Sequence, residues 1–169
     1  CSFVREDYDK YDIIVPTLDK INIRTIAQAK RNRANKMQKE AYEVAKLTNN
    51  LGVVVSTTGP GATNAAAGVV EAWVDSSPVL VISGQVDSSE ITDKDRTFGI
   101  QGFDIVSLVK PITKYAVCVK DPSMIRYHLE RAIHQATTGR PGPVWLDIPM
   151  NVQSALIEFE NLKPYEVNN

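Results

Sequence analysis

Val53 to Asn64 reads VVVSTTGPGATN, and Pro78 to Gly84 answers it with PVLVISG. The unbroken Val53-Val54-Val55 run is the pattern of a strand buried on both faces of a parallel sheet, because neither face alternates to polar residues. The run ends in Thr57-Thr58, turns through Gly59-Pro60-Gly61 and opens into an alanine-rich helix. Glycine at such a turn permits positive φ and removes the Cβ that would obstruct a ligand. The helix start offers unpaired N–H groups and the positive end of its dipole. Ligands of open α/β sheets bind beyond the carboxyl ends of the strands, so this turn is the first candidate site. It fits neither the P-loop pattern nor the GxGxxG fingerprint. Taken alone, Gly-Pro-Gly is equally a means of shaping a tight βα connection.

Strands and helices alternate outward from this point. Gly52 to Ser56 and Val79 to Ser83 are predicted strands, joined by a helix over Thr63–Val74 with Ala66, Val70, Trp73 and Val74 on its buried side. A polar loop from Gln85 to about Gly99 precedes a short helix at Phe103–Val109 and a strand at Tyr115–Val119. Asp121-Pro122 is a helix start, with an N-cap carboxylate followed by proline in the first turn. Ile125, Leu129, Ala132 and Ile133 keep helical spacing up to a stop at Gly139. Pro143 to Ile148 is the last strand. The alternation predicts an α/β fold, a parallel sheet flanked by helices on both faces through right-handed crossovers. Upstream, Asp12–Leu18 reads as a strand and Ile23–Thr48 as a helix. Its basic run, Lys30, Arg31, Arg33, Lys36 and Lys39, is better read as a solvated face than as a polyanion site.

With 169 residues, 43% hydrophobic and 23% charged, the chain fits one domain with a real core. A net charge of −1 gives no global attraction to nucleic acid or anionic membrane. No apolar run approaches the roughly 18 residues that span a bilayer. Cys1 and Cys118 suggest neither a metal site nor a disulfide framework, which makes a reducing cytoplasm the expected location. The chain begins at Cys1, so its natural start is expected to lie upstream. His128 and His134 fall on different helix faces and do not read as a metal or catalytic pair. Asp147, in WLDIP, reads as a loop cap.

Several motifs fall in one order. TTGPGATNAAAGVVEAWVDSSPVLVISGQV is followed by Gln101 in FGIQGFD, then KPITKYAV, then TGRPGPVWLDIP at Thr138–Pro149. Together they resemble the N-terminal pyrimidine-binding domain of thiamine diphosphate enzymes, acetolactate synthase and its relatives above all. The resemblance covers Ala41 to Gln153, roughly two-thirds of the chain. It implies thiamine diphosphate as cofactor, a 2-keto acid as substrate of the parent enzyme, and a carboligase or decarboxylase activity. It implies that Thr58, Gly59, Pro60 and Gly61 line the pyrimidine side, with Asn64 holding the loop. Gln101 matches a glutamine that reaches the reaction centre, where it orients substrate or intermediate. The plainer readings are a helix-start polar residue for Asn64 and an ordinary loop amide for Gln101. The resemblance also implies a homodimer or homotetramer, with no nucleic-acid or membrane partner.

Two features of the family pattern are missing. The family's cofactor-activating glutamate lies in a His-Glu-Gln-Ala-Ala type motif, and a gapless match puts Ala34 there. Glu40 is the nearest carboxylate, nearly two helical turns on, and alanine can neither hydrogen-bond nor exchange a proton. The family's first strand and Gly-rich turn are not recognisable before Ala41 either. Either this front derives from something else, or the protein is a glutamate-less variant. The Gly-Asp-Gly…Asn pattern that holds the diphosphate and its magnesium is also absent, so the metal is expected from a domain this chain lacks. The expected organisation is an atypical strand and basic helix at 1–40, partly completing a pyrimidine-type domain at 41–155, and a linker at 156–169. Two readings remain: a pyrimidine-binding domain of a carboligase, or a non-catalytic α/β assembly domain that keeps the fold.

Overall fold

A computed structural model describes residues 41–45, 47–48, 50–91, 99 and 101–167. The expected strand at Asp12–Leu18, the basic run from Lys30 to Lys39, Ala34, Glu40 and the loop segment 92–98 lie outside the described residues. The described elements are β1 (Gly52–Ser56), α1 (Pro60–Val74), β2 (Val79–Gln85), α2 (Ile105–Val109), β3 (Tyr115–Cys118), α3 (Ile125–Thr137), β4 (Val144–Pro149) and α4 (Met150–Gln153). Residues 41–45 and 47–48 are also helical, as expected for the end of Ile23–Thr48.

The four strands form one all-parallel sheet in the order β1-β2-β4-β3. Its register sets Val54 beside Val81, and Val81 beside Trp145. Side chains alternate across the sheet with period two. Val54, Val81 and Trp145 point to one face, where they meet Ala62, Ala65 and Val69 of α1 and Ile105 and Val109 of α2. Val53, Leu80, Val144 and Leu146 point to the other, against Leu129, Ala132 and Ala136 of α3 and Val152 of α4. The expected α/β architecture with helices on both faces is therefore the observed one.

Local signals explain the helix ends. Asp121 accepts from the Ser123 amide at 2.9 Å, and Pro122 opens the turn that leads into α3. Beyond α3, Gly139 takes φ +65°, the left-handed stop its position suggested. Asp104 caps α2 by accepting from Ser107 N, so that helix starts at Ile105 rather than Phe103.

The buried face of α1 differs from expectation. Ala62, Ala65, Val69 and Ala72 are buried, while Val70, Trp73 and Val74 are 45%, 41% and 66% exposed. Small residues at i, i+3, i+7 and i+10 let the helix axis lie close to the sheet, and the bulkier residues are turned outward. A second close approach fixes the preceding helix: a Cβ on Gly52 would stand 2.3 Å from the Ala41 carbonyl oxygen. The Tyr42 hydroxyl donates to Asp75 at the end of α1, tying these two helices together. Among the described residues, no helix is long and apolar enough to cross a membrane.

Candidate functional site

Parallel pairing puts the carboxyl ends of β1, β2 and β4 at one edge of the sheet, and the Thr58–Gly61 turn lies there. Gly59 adopts φ +55°, ψ −111°, a backbone conformation that an L side chain strains to reach. Pro60 occupies the first turn of α1, and no side chain caps this helix. The Thr63 amide bonds back to Gly59 O at 2.9 Å and the Gly61 amide to Thr58 O at 3.3 Å, which closes the turn. The helix thus begins at Pro60, three residues before the expected Thr63.

The fold brings Thr58 and Gln101 together although they are 43 residues apart: the Thr58 hydroxyl donates to Gln101 Oε1. Gln101 is exposed at the carboxyl edge and Thr58 is half-buried beside it. Asn64 is exposed on α1 and its side chain makes no hydrogen bond among the described residues, so nothing there draws it to the turn. Two glycines shape the surroundings. A Cβ on Gly61 would stand 2.6 Å from the Thr57 methyl, and one on Gly84 would touch both the Thr58 methyl and Gln153 Nε2 at 3.4 Å. The Ser56 hydroxyl, at the end of β1, is buried without a partner among the described residues.

Sequence reading missed the polar layer beneath this edge. Asp147 is not a loop cap: it is 1% exposed, inside β4, facing α1 and α2. Ser83 donates to Asp147 Oδ1 at 2.5 Å and itself accepts from the Trp145 indole at 2.8 Å. Gln85 Nε2 donates to Asp147 Oδ2 at 3.0 Å and to the Phe103 carbonyl at 3.1 Å. The available signal was period two: Ser83 and Gln85 share a face of β2, and Trp145 and Asp147 share the same face of β4. Nearby, Asn151 clamps the loop after β2 through the amide and hydroxyl of Ser88, at 3.0 and 2.8 Å.

Burial pushes the Asp147 carboxyl up to about 6, against the lowering effect of its bonds from Ser83 and Gln85. Cys118 lies beside it in register, and burial, with the Asp147 charge second, pushes that thiol up to about 11. Cys118 therefore stays protonated at neutral pH and is a poor nucleophile. The raised carboxyl has a stability consequence. From its ordinary 3.8 to about 6, the folded chain holds a proton that the unfolded chain has released. The group's contribution is full below 3.8 and is lost as pH rises through about 6. The ionised form thus costs about 3 kcal/mol at neutral pH, at ~1.4 kcal/mol per pH unit. Urea denaturation from pH 4 to 8 should show the stability of the wild type falling by this order relative to Asp147→Asn. A difference that stays flat across the range contradicts it.

Neither histidine bonds to the turn or to Gln101 among the described residues. His128 Nδ1 bonds the Tyr115 hydroxyl at 2.6 Å and His134 Nδ1 bonds Thr138 Oγ1 at 3.2 Å. Among the described residues no three His, Cys, Asp or Glu side chains form a metal-binding group. At the opposite, amino edge, Trp73, Val74, Lys114, Arg140 and Pro141 line a cleft of about 320 Å³. Lys114 there is engaged with the carbonyls of Thr138 and Arg140 at 2.6 and 2.8 Å.

A parallel α/β sheet with a glycine turn and paired polar side chains at its carboxyl edge defines a ligand-binding domain of the open-sheet class. Residues 18–108 match the family described as the thiamine pyrophosphate enzyme, N-terminal TPP binding domain. The chain belongs to that family, and the match begins upstream of Ala41, where the sequence likeness was first legible. It is 41% identical over 123 residues to acetolactate synthase of Arthrospira platensis, covering 73% of this chain and 21% of that protein. It is 42% identical over 116 residues to a probable acetolactate synthase large subunit of Methanocaldococcus jannaschii, covering 69% and 19%. A glyoxylate carboligase of Escherichia coli O157:H7 is 38% identical over 111 residues, covering 66% and 18%. The chain spans about a fifth of the length of these relatives.

Family membership implies thiamine diphosphate binding, and the carboxyl edge fits one half of that cofactor. The glycine turn at positive φ and the amide–hydroxyl pair beside it suit a polar aromatic ring. The described residues hold no carboxylate or histidine cluster for a metal-bridged diphosphate.

Proposed function

We propose that this chain is the pyrimidine-side half of a thiamine diphosphate site in an acetolactate-synthase-like carboligase or decarboxylase acting on 2-keto acids. The Thr58–Gln101 bond across the carboxyl edge carries the reading, because it joins the family's turn to its reaction-centre glutamine. Thr58, Gly59, Pro60 and Gly61 line the ring. Gln101 turns its amide toward the substrate carbonyl or carboxylate and orients it by hydrogen bonding. When bound, thiamine diphosphate supplies the carbanion chemistry, and the protein's part is orientation and electrostatics. Magnesium and the diphosphate contacts come from another domain, and 156–169 serves as the linker toward it. The 41–155 region forms the domain proper, completed by part of 1–40. We place the protein in the cytoplasm. Ala34 at the expected glutamate position favours a second reading, a non-catalytic domain that keeps the fold and the subunit contacts.

Titrating the chain with thiamine diphosphate and magnesium by calorimetry tests the half-site assignment. The expected dissociation constant is about millimolar or weaker, roughly −4 kcal/mol. Low-micromolar affinity would show that the diphosphate site lies within the chain.

The assembly we propose is a homodimer or homotetramer. The outward face of α1, with Val70, Trp73 and Val74 each more than two-fifths exposed, supplies apolar contact area beside Ala67. Burying Trp73 completely contributes about 2 kcal/mol. Light scattering at high micromolar concentration should read a mass above the monomer, and a monomer alone contradicts the assembly.

A further inference from the structure

The hydrogen bonds of the polar layer under the carboxyl edge converge on Asp147 from Ser83 and Gln85, and a second bond from Gln85 reaches the Gln101 loop. Gln85 spends both protons of its amide nitrogen, on Asp147 Oδ2 and on the Phe103 carbonyl, while its Oε1 accepts from Val86 N at 2.9 Å. Turning the amide over would aim its oxygen at a carboxylate and a carbonyl, so the arrangement has one sense only. That sense is set by Asp147, which accepts at both oxygens. Phe103 is separated from Gln101 by Gly102 alone. Its carbonyl also receives the Ile105 amide at 2.9 Å at the start of α2. The Gln101 loop is thus moored to the sheet at Phe103.

We infer that Asp147, acting through Gln85, is a positioning residue for Gln101: it moors the loop that brings this amide to Thr58. The inference rests on the assignment of Gln101 to the site. A charge held inside the sheet at a cost in stability supports it, since a neutral residue of similar volume would be cheaper to bury. The groups around the carboxylate do not offset its charge. Trp145 and Ser83 are neutral, Cys118 is a thiol, and Asp104 at the start of α2 adds a like charge. The hydrogen bonds from Ser83 and Gln85 ease the cost of that charge, and Gln85's second bond reaches the loop.

Asp147→Leu tests this, because it removes both acceptor oxygens and leaves Gln85 Nε2 without its partner in the sheet. Gln85→Met, which removes both donors without touching Asp147, is the second variant should the first fail to fold. In the full chain, the NMR cross-peak between the Thr58 and Gln101 side chains should vanish in the variant. The backbone order of 101–104 should fall, with the Val81 and Leu146 amides unchanged. A cross-peak of wild-type strength in a folded variant overturns the inference. In the full protein with thiamine diphosphate, magnesium and a 2-keto acid, the variant should lower kcat as much as Gln101→Ala, roughly a hundredfold. It should add less than twofold in a Gln101→Ala background. Multiplying effects would mean that Asp147 acts elsewhere and would overturn the mooring. Full turnover in Gln101→Ala alone would instead remove the role given to Gln101, while the NMR cross-peak still judges Asp147.

Discussion

Replacing Trp145 with alanine is expected to destabilise the domain by about 3–5 kcal/mol, the range for deleting a large buried aromatic. Trp145 is fully buried at the centre of the sheet, paired in register with Val81 on one side and Ala116 on the other. Its ring fills the layer between β4 and the α1–α2 face, where Ala62 and Ala65 are too small to collapse into the space left. The indole N–H also donates to Ser83, which bonds Asp147, so the substitution loosens the polar layer as well as the core. Against a total stability of about 5–15 kcal/mol, such a loss brings the domain to the edge of unfolding. Trp145→Phe keeps most of the volume and should cost well under half as much. Equilibrium denaturation of the three chains measures the series. Equal midpoints for wild type and Trp145→Ala would contradict the packing described here.

The second large effect is on turnover. Gln101→Ala in the full protein should lower kcat by roughly a hundredfold, the scale of a reacting group held about 1 Å out of place. The folded stability should hardly change, because the Gln101 side chain is exposed and its one described bond is to the Thr58 hydroxyl. Steady-state kinetics with a 2-keto acid, paired with a denaturation curve, separates the two. Unchanged kcat would make Gln101 an ordinary loop amide.

Much of this fold could be read from the chain because its signals are local. Val53, Val54 and Val79–Val81 are buried as the apolar runs suggest, whereas Val55, expected to be buried with them, is 43% exposed. Leu129 and Ala132 mark the inner face of α3 by spacing alone. The inner face of α1 was hidden because apolar residues surround that helix. Periodicity then fails to choose, and side-chain volume decides. Asp147 was misread for a different reason. Its partners Ser83 and Gln85 lie 64 and 62 residues away, so the reason for a carboxylate inside a strand is visible only once β2 and β4 are paired. At the candidate site, the glycine turn and Gln101 stood out by motif, whereas the hydroxyl that joins them depends on the sheet's topology.

Every functional role proposed above requires the carboxyl edge, and not another surface, to meet the cofactor's ring. An amide-resolved NMR titration with thiamine diphosphate and magnesium decides this. Shifts growing to saturation in the millimolar range are predicted at Thr58, Gly59, Gly61, Gly84 and Gln101. Lys114 and Arg140, at the amino edge, should stay still. Shifts centred on the Trp73–Arg140 cleft, with Thr58 and Gln101 unmoved, would contradict the assignment.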